Sequence, residues 1–364
     1  MIDVLIAFNI RILCYWIKMK SLLISLPFIL AATFAGAAEY ELKLHHFYVK
    51  EDVPQKQMLE PWAREVEKLT NNRVKITIIP RMKLGGRPKD LVKQASEGNI
   101  TDLIWTVNTY TGKTFIRSEV FELPFIHTND PVATNLAMRE MFESDLKEDY
   151  EKQNLEVMFL HVTQGHAFLS KKDEIRKPED LKGKLMRVPG RIHAWIAEEL
   201  DSITVNSTVM QIHQVLQRNV ANTLLMTSNI VGALRLEQYI NSITEGHEST
   251  RFANAVLSVS MNKDRWNSLP PEIQSAFRKA SDESFLRRIG QVWSDYEKPG
   301  IDRLIQYKKK HIVLTEAETK AFEDKLKPVT ERWIKEVEKE GVQGRDLVAK
   351  AKRLIQKYSN QKDL

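Results

Sequence analysis

Strand-like and helix-like segments alternate early in the chain, and this alternation is the strongest constraint on its fold. Tyr40 to Val49, Val74 to Ile79 and Asp102 to Val107 have the apolar or β-branched character of strands. Between them, Gln55 to Asn71 and Lys89 to Glu97 show helical spacing of their apolar residues. A β-α-β-α-β order predicts a parallel sheet with helices on its faces.

A second unit of the same kind begins near Leu155, and helices follow it. The segments that read as strands are 157–162, 184–188 and 203–206, and those that read as helices are 192–199 and 210–218. From Pro270 onward the spacing stays helical almost to the end of the chain. The sequence therefore predicts two α/β lobes with a helical carboxyl-terminal wrap, joined near residues 158 and 247.

Charge and cysteine content narrow the range of functions. The formal net charge is +6, and it is spread over helices of mixed sign rather than gathered in one basic stripe, so a nucleic-acid partner is not expected. The only cysteine is Cys14, which excludes thiol catalysis and a cysteine-based metal site in the rest of the chain.

The amino terminus has the pattern of a secretory signal peptide, assigned to residues 1–37. Met19-Lys20 precedes an apolar run that ends in Ala35-Gly36-Ala37, and cleavage is expected near Ala37. Residues 1–18 form a second apolar stretch, for which a true start at Met19 or an uncleaved anchor is the alternative. The pattern predicts export to the periplasm.

No catalytic or metal-binding set is evident in the sequence. There is no Gly-rich phosphate loop, no Gly-x-Ser-x-Gly and no His-Glu-x-x-His. His45 and His46 are adjacent on a strand and would point to opposite faces, while His161, His166 and His193 are irregularly spaced. The sequence thus predicts no enzyme, no metal and no cofactor, although His166 and His193 could face a cleft.

Arg187 is the most informative single residue. It lies on a short predicted strand with apolar neighbours at 185, 186 and 188, where an arginine is unfavourable unless it is paired. A guanidinium grips a carboxylate at two points, so Arg187 could bind an anionic ligand, and Arg191 could reach the same pocket. An internal salt bridge to Asp or Glu explains the residue equally well at this point.

Several motifs resemble those of the periplasmic substrate-binding proteins of TRAP transporters, the DctP-type family, over nearly the whole chain after residue 37. They are His46-Phe47, Pro61-Trp62-Ala63, Pro80-x-Met82-x-Leu84-Gly85-Gly86, Asp102-Leu-Ile-Trp105, Glu119-Val-Phe-Glu-Leu-Pro-Phe125, Asp180-Leu-Lys-Gly183 with Arg187, Ser260-Met261-Asn262-Lys263 and Ser268-Leu269-Pro270. Each is weak alone, but their order and spacing together are specific.

The resemblance implies a two-lobed periplasmic-binding-protein fold with hinge strands and a long helix spanning both lobes. Lobe I is expected to comprise residues 38–158 and 247–288, and lobe II residues 159–246 with 289–358. The implied function is sodium-driven uptake: a receptor, most simply a monomer, captures a small organic acid and hands it to TRAP permease membrane subunits.

The resemblance also implies the ligand-binding residues. Arg187 would clamp the ligand carboxylate, and the other cleft residues are expected to be Phe47, Trp105, Tyr110, Arg191, Asn229 and His166. Several of these are aromatic, so the ligand is expected to be a monocarboxylate that is aromatic or bulky. Phe121 also falls near the cleft, but its Phe-Glu-Leu-Pro-Phe setting indicates a structural role.

The sequence departs from the family pattern in one segment. Asn219-Val-Ala-Asn222-Thr223 stands where the family usually has Gly-x-x-Asp-Gly, so a tight turn must form without glycine. Gly165-His166 stands where some members carry a second arginine. These departures leave open a degenerate relative that no longer binds. A ligand-sensing module for a membrane sensor kinase is a separate alternative, because a single sequence does not distinguish it from a transport receptor.

Overall fold

The strands form two separate sheets in the structure, a computed structural model that describes residues 38–361 of the chain. The strands within that range are β1 (Tyr40–His46), β2 (Val74–Ile79), β3 (Leu103–Val107), β4 (Leu155–Val162), β5 (Ala167–Ser170), β6 (Leu185–Val188), β7 (Ile203–Asn206), β8 (Thr223–Met226), β9 (Ser242–Glu245), β10 (Val256–Asn262) and β11 (Lys310–Val313). The predicted signal peptide lies outside the described residues.

The first sheet has the order β2-β1-β3-β10-β4, and the second has the order β11-β9-β5-β8-β6-β7. In the first sheet β1 runs parallel to both β2 and β3, which confirms the parallel start predicted from the β-α-β-α-β order. The late strand β10 then adds antiparallel to β3 and β4. The first sheet therefore contains a strand from much later in the sequence, inserted between β3 and β4.

Helices cover the sheets and fill the carboxyl-terminal third of the chain. They are α1 (Glu60–Leu69), α2 (Leu91–Glu97), α3 (Pro131–Met141), α4 (Lys147–Glu151), α5 (Arg191–Glu199), α6 (Ile212–Gln217), α7 (Ile230–Ala233), α8 (Lys263–Asn267), α9 (Pro271–Ala280), α10 (Glu283–Gln306), α11 (Glu316–Glu338) and α12 (Gly344–Ser359). Within the described residues, no helix combines the length and the apolarity that a membrane crossing requires.

Three chain segments connect the sheets, and the first two lie side by side, whereas the third, residues 263–309, runs from β10 to β11 and contains α10. Because β4 belongs to the first sheet and β5 to the second, the first connection is residues 163–166. The second connection, residues 246–255, returns the chain from β9 to β10. A single antiparallel bridge between His166 and Ala253 joins these two connections, so this pair lies at the junction of the two lobes.

The long helix α10 spans both lobes. Its first half packs on α3 and β4 of the first lobe, and its second half packs on α7 and β11 of the second. Gly300 permits the closest of these approaches, because a Cβ atom there would lie 2.2 Å from the Ser228 carbonyl oxygen. The helix backbone thus rests directly on the segment that precedes α7.

We expect Gly300→Ala to lower the free energy of unfolding by about 1–3 kcal/mol, because overpacking at a backbone contact forces local displacement. Gly232→Ala, in α7, is the matched control, since a Cβ atom there meets nothing within 4 Å. That change should stabilise the protein by about 0.5–1 kcal/mol through helix propensity. Urea unfolding of both variants checks this, and equal effects would contradict the close contact.

Candidate ligand-binding site

A cavity of about 70 Å³ lies between the two lobes. Strands of both sheets point their carboxyl ends at it, which is the usual place for ligands in α/β proteins. The first lobe contributes Phe47 and Tyr48 after β1 and Tyr110 after β3, whereas the second contributes Arg187 and Met226 from the ends of β6 and β8. His166 lines it from the connection between the sheets.

Arg187 is buried at the cavity without a carboxylate partner. Its side chain is 1% exposed, and no Asp or Glu oxygen among residues 38–361 lies within 4.0 Å of its guanidinium. Nε donates to the Ser207 hydroxyl (3.3 Å), and one terminal nitrogen donates to the Ser207 carbonyl oxygen (2.5 Å). The other terminal nitrogen donates to the Met226 sulfur at 3.3 Å, a weak acceptor, and the Tyr110 hydroxyl also lies within reach of the guanidinium. The internal salt bridge that the sequence left open is thus not formed in the described part of the chain.

Tyr110 places a hydroxyl group beside the Arg187 guanidinium. Its Oη accepts a hydrogen bond from the Val209 backbone N–H at 3.0 Å. Burial raises the pKa of Tyr110, while the charge of Arg187 opposes that rise. The hydroxyl stays protonated, and within residues 38–361 its proton has no acceptor, so it can donate to an anion held by Arg187.

Phe47 forms an aromatic wall of the cavity, and Trp105 lies behind it. The two rings stack with centroids 5.2 Å apart and planes 17° from parallel. Trp105 is itself 1% exposed and donates from Nε1 to His161 Nε2 at 2.9 Å. The His161 ring in turn stacks on Trp293, which reaches the cavity. Trp105 therefore supports the wall rather than lining the cavity.

Asn229 lines the cavity on the side of Tyr48 and α10. Its Oδ1 atom is buried and has no hydrogen-bond partner among the described residues. Behind it, the Tyr296 hydroxyl donates to the Asp52 carboxylate. A polar atom left without a partner beside a cavity is available to a ligand, since enclosed polar groups are normally paired.

Arg191 does not reach the cavity, because two carboxylates hold it elsewhere. It donates to both carboxylate oxygens of Glu119, at 2.6 and 2.5 Å, and to Glu336 at 2.9 Å. Trp333 Nε1 donates to the same Glu119 carboxylate at 3.1 Å. Since Arg191 begins α5 in the second lobe and Glu119 belongs to the first, this cluster links the lobes outside the cavity.

The altered segment after α6 keeps its turn. Asn219 adopts φ of 54°, the left-handed conformation that asparagine tolerates better than most residues. Its side chain accepts a hydrogen bond from Lys171 Nζ at 2.6 Å. Asn222 Oδ1 accepts from the Leu185 backbone N–H at 3.1 Å, which ties the segment to β6. The strand that carries Arg187 is therefore supported despite the missing glycines.

Sequence reasoning missed several cavity residues. Tyr48, Met226 and Trp293 line the cavity, yet none was singled out. Tyr48 directly follows Phe47. The alternation of residue types is lost after β1, which indicates a bend in the chain, and this bend was the available signal for Tyr48. Trp293 lies in a helix whose apolar spacing indicates core packing equally well.

Two α/β lobes, joined by paired connections and closing on a cavity with a buried arginine, define a two-lobed solute-binding protein. Residues 45–336 match the model of the bacterial extracellular solute-binding proteins, family 7 (DctP). The chain belongs to this family, which contains the periplasmic receptors of TRAP transporters.

Similar proteins of known structure bind aromatic acids. A TRAP solute-binding protein from a marine metagenome, specific for aromatic acid ligands and solved with meta-hydroxyphenylacetate, is 26% identical, with a TM-score of 0.83 over 88% of this chain and 99% of that one. A TRAP solute-binding protein from Rhodoferax ferrireducens, solved with copurified benzoate, is 26% identical, with a TM-score of 0.83 over 88% and 98%.

A curated relative gives a weaker likeness in sequence. The outer membrane transporter protein TsaT of Comamonas testosteroni is 21% identical over 294 residues, which are 80% of this chain and 84% of that protein.

We expect Glu122, a neighbour of the Glu119 cluster, to make stability depend on pH. Burial, followed by the charge of Glu119, raises the pKa of Glu122 from 4.5 to about 8. Its contribution to stability is therefore complete below pH 4.5 and is lost as pH rises towards 8, at up to about 1.4 kcal/mol per pH unit. Glu122→Gln mimics the protonated form, so its stability relative to the wild type should increase from pH 5 to pH 8.

Urea unfolding at pH 5 and pH 8 measures this difference. Glu179→Gln is the matched control, for which no such gain is expected because that carboxyl group lies in water. A relative stability of Glu122→Gln that does not change with pH would contradict a protonated buried carboxyl group.

Proposed function

We propose that this chain captures an aromatic or otherwise bulky monocarboxylate in the periplasm and presents it to TRAP permease membrane subunits. The predicted signal peptide would export it and be cleaved near Ala37. Closure of the two lobes would enclose the ligand, and the permease would accept it from the closed receptor. The chain itself carries out no chemistry in this proposal.

The single observation that carries the proposal is the uncompensated charge of Arg187. A buried arginine is normally paired, because an isolated ion in a protein interior is strongly unfavourable. Here the terminal nitrogens of the guanidinium face a backbone carbonyl and a methionine sulfur. A ligand carboxylate that displaces Met226 would supply the missing charge and a two-point hydrogen bond.

The walls of the cavity support an aromatic ligand. Phe47, Tyr48, Trp293 and the flexible Met226 are among the residues that form its apolar surface. The related receptors of 26% identity were solved with benzoate, 3-hydroxybenzoate and meta-hydroxyphenylacetate. Arg187 is the only charged side chain that lines the cavity in the described part of the chain, which favours a ligand with one negative charge.

The size of the cavity limits the ligand. One water requires roughly 10–15 Å³ by the same measure, so 70 Å³ offers space for only a few atoms beyond a carboxylate. A benzene ring would require Met226 to move, and methionine adapts readily because it is unbranched and has three rotatable bonds. Small aromatic acids therefore fit this site better than long-chain acids.

We expect Arg187→Ala to weaken binding of benzoate or 3-hydroxybenzoate at least about a hundredfold, because removing one partner of a buried charge pair costs roughly 3–5 kcal/mol. The wild type should bind at micromolar concentration or below. Isothermal titration calorimetry on protein lacking residues 1–37 measures both affinities. Arg218→Ala, an exposed arginine of the same lobe, is the matched control and should bind as the wild type does.

Two outcomes would overturn the proposal. One is unchanged affinity in Arg187→Ala. The other is the absence of binding by any aromatic or aliphatic monocarboxylate in a thermal-shift screen, where a bound ligand must raise the melting temperature by mass action. The second outcome would favour a relative that no longer binds such acids.

We expect Tyr110→Phe to have a smaller and separable effect. The change removes the hydroxyl that faces Arg187 but keeps the ring, so affinity for benzoate should fall by about 2–10-fold, the value of one hydrogen bond. The Val209 backbone N–H would also lose its acceptor, so unfolding by urea is measured in parallel. An undiminished affinity would show that the hydroxyl does not contact the ligand.

A further inference from the structure

The two lobes touch outside the cavity at the start of α5. Gly190, directly before α5, lies against Thr109, which follows β3: a Cβ atom at Gly190 would lie 1.8 Å from the Thr109 hydroxyl oxygen and 2.8 Å from its carbonyl oxygen. The strand β3 belongs to the first sheet, whereas α5 follows β6 of the second. This contact between the lobes therefore leaves no space for a side chain at residue 190.

Ion pairs cross between the lobes beside this contact. Arg191 of the second lobe donates to both carboxylate oxygens of Glu119 in the first lobe, at 2.6 and 2.5 Å. Arg191 also donates to Glu336 at 2.9 Å, and Glu336 lies in α11, which packs on α5. Lys113 of the first lobe pairs with the same Glu336. Each side of the contact thus contributes one cation and one carboxylate to these pairs.

Glu122 adds a third carboxyl group here but no cation. It lies three residues after Glu119 and is 1% exposed. Its Oε1 accepts a hydrogen bond from the Val256 backbone N–H at 3.1 Å. Its Oε2 is enclosed and has no well-formed hydrogen bond within residues 38–361, although the Thr109 hydroxyl lies within reach of the carboxyl group. The interlobe cluster consists of Lys113, Glu119, Glu122, Arg191 and Glu336.

The charges of the interlobe cluster balance only if one carboxyl group is protonated. Its three carboxyl groups meet two cations, and a buried carboxylate without a cation is strongly unfavourable. Glu122 is the group without a cation, and burial, followed by the charge of Glu119, raises its pKa to about 8. Burial raises the pKa of Glu119 to about 7, although Arg191 opposes the rise, and burial keeps the nearby Tyr150 hydroxyl neutral by raising its pKa. Glu122 is therefore the group of this cluster that titrates between pH 7 and pH 9.

Separation of the lobes would remove this environment. Gly190 and Arg191 would withdraw together, and water would reach Glu119 and Glu122. A carboxyl group in water has a pKa of about 4.3, so Glu122 would be ionised at neutral pH when the lobes are apart. Closure must then take up a proton. By linkage, closure is most favourable at low pH and becomes less favourable as pH rises through about 8.

We propose that the interlobe cluster is a proton-linked latch, in which ligand capture takes up one proton at Glu122 while the ion pairs of Arg191 hold the lobes closed. The inference rests on the proposed function and adds a determinant of its affinity. The cluster side chains act as positioning residues, because none of them lines the cavity. They contribute to the free energy of closure, and hence to affinity, without contact with the ligand.

Calorimetry with benzoate, on protein lacking residues 1–37, measures the proton uptake. The affinity of the wild type should fall about three- to tenfold from pH 7 to pH 9, because the closed state loses its proton in this range. At pH 7, titrations in two buffers of different ionisation enthalpy should report uptake of about 0.5–1 proton per benzoate bound. Histidines contribute little in this range, since their ordinary pKa is about 6.5.

Glu122→Gln keeps a neutral hydrogen-bonding side chain at the same position. In this variant the affinities at pH 7 and pH 9 should agree within about twofold, and proton uptake should fall to nearly zero. Glu179→Gln, whose carboxyl group is exposed, is the matched control and should keep the wild-type pH dependence. A merely structural role of Glu122 would change the affinity equally at both pH values.

Gly190→Ala tests the contact between the lobes. The backbone at residue 190 has φ of −166°, an extended conformation that alanine also adopts, so the second lobe should fold normally, which urea unfolding checks. The added Cβ atom collides with Thr109 when the lobes close, so benzoate should bind at least about tenfold more weakly at both pH values. Gly232→Ala, where a Cβ atom meets nothing within 4 Å, is the matched control and should bind as the wild type does.

The outcomes separate this inference from the proposed function. Benzoate binding that is equal at pH 7 and pH 9, and is lost in Arg187→Ala, would overturn the latch and leave the carboxylate receptor intact. A pH dependence that persists in Glu122→Gln would also overturn it, as would wild-type affinity in Gly190→Ala. If no carboxylate binds, the proposed function fails and the inference fails with it.

Discussion

The buried positive charge of Arg187 is the constraint on which the binding site depends. The protein contains a second arginine of equal burial, Arg251, at 1% exposed. Arg251 lies 2.5 Å from each of two carboxylates, Glu245 and Glu297. Arg187 has none within residues 38–361, although both residues experience the same loss of hydration. One arginine is thus compensated by the fold, whereas the other has no carboxylate partner in the described part of the chain, as its proposed role in binding an anion requires.

Arg251, the compensated arginine, holds together the connections between the sheets. These connections determine the surroundings of Arg187. Arg251 lies on the second connection, Glu245 ends β9 and Glu297 lies in α10. A Cβ atom at Gly165, on the first connection, would lie 2.2 Å from the Arg251 Cβ atom. The Arg251 side chain therefore packs on the first connection and forms ion pairs with the end of β9 and with α10. This arrangement fixes His166 next to Arg187. The geometry of the cavity therefore depends on the relative position of the two lobes.

The sequence was sufficient for the fold and for the residues whose environment is local. Arg187 could be found because its neighbours along the strand are apolar, and the alternation of strands and helices predicted two α/β lobes. The depth of a side chain was harder to predict. Trp105 and Phe47 both follow the aromatic pattern, but which ring covers the other depends on the register of β1 and β3. Arg191 pairs with Glu119, 72 residues away, and no local signal reports such a contact.

Charge balance at the cavity restricts the ligand further than shape does. A monocarboxylate bound at Arg187 gives a neutral site, and the adjacent His166 and His193 can then stay neutral, as their burial requires. A dicarboxylate would bring a second negative charge among Phe47, Trp293 and Met226, where no described side chain can pair with it. Isolated buried charges are strongly unfavourable, so the second carboxylate would have to be protonated or left in water. His166 thus contributes a neutral hydrogen-bonding group to the wall of the cavity rather than a second positive charge.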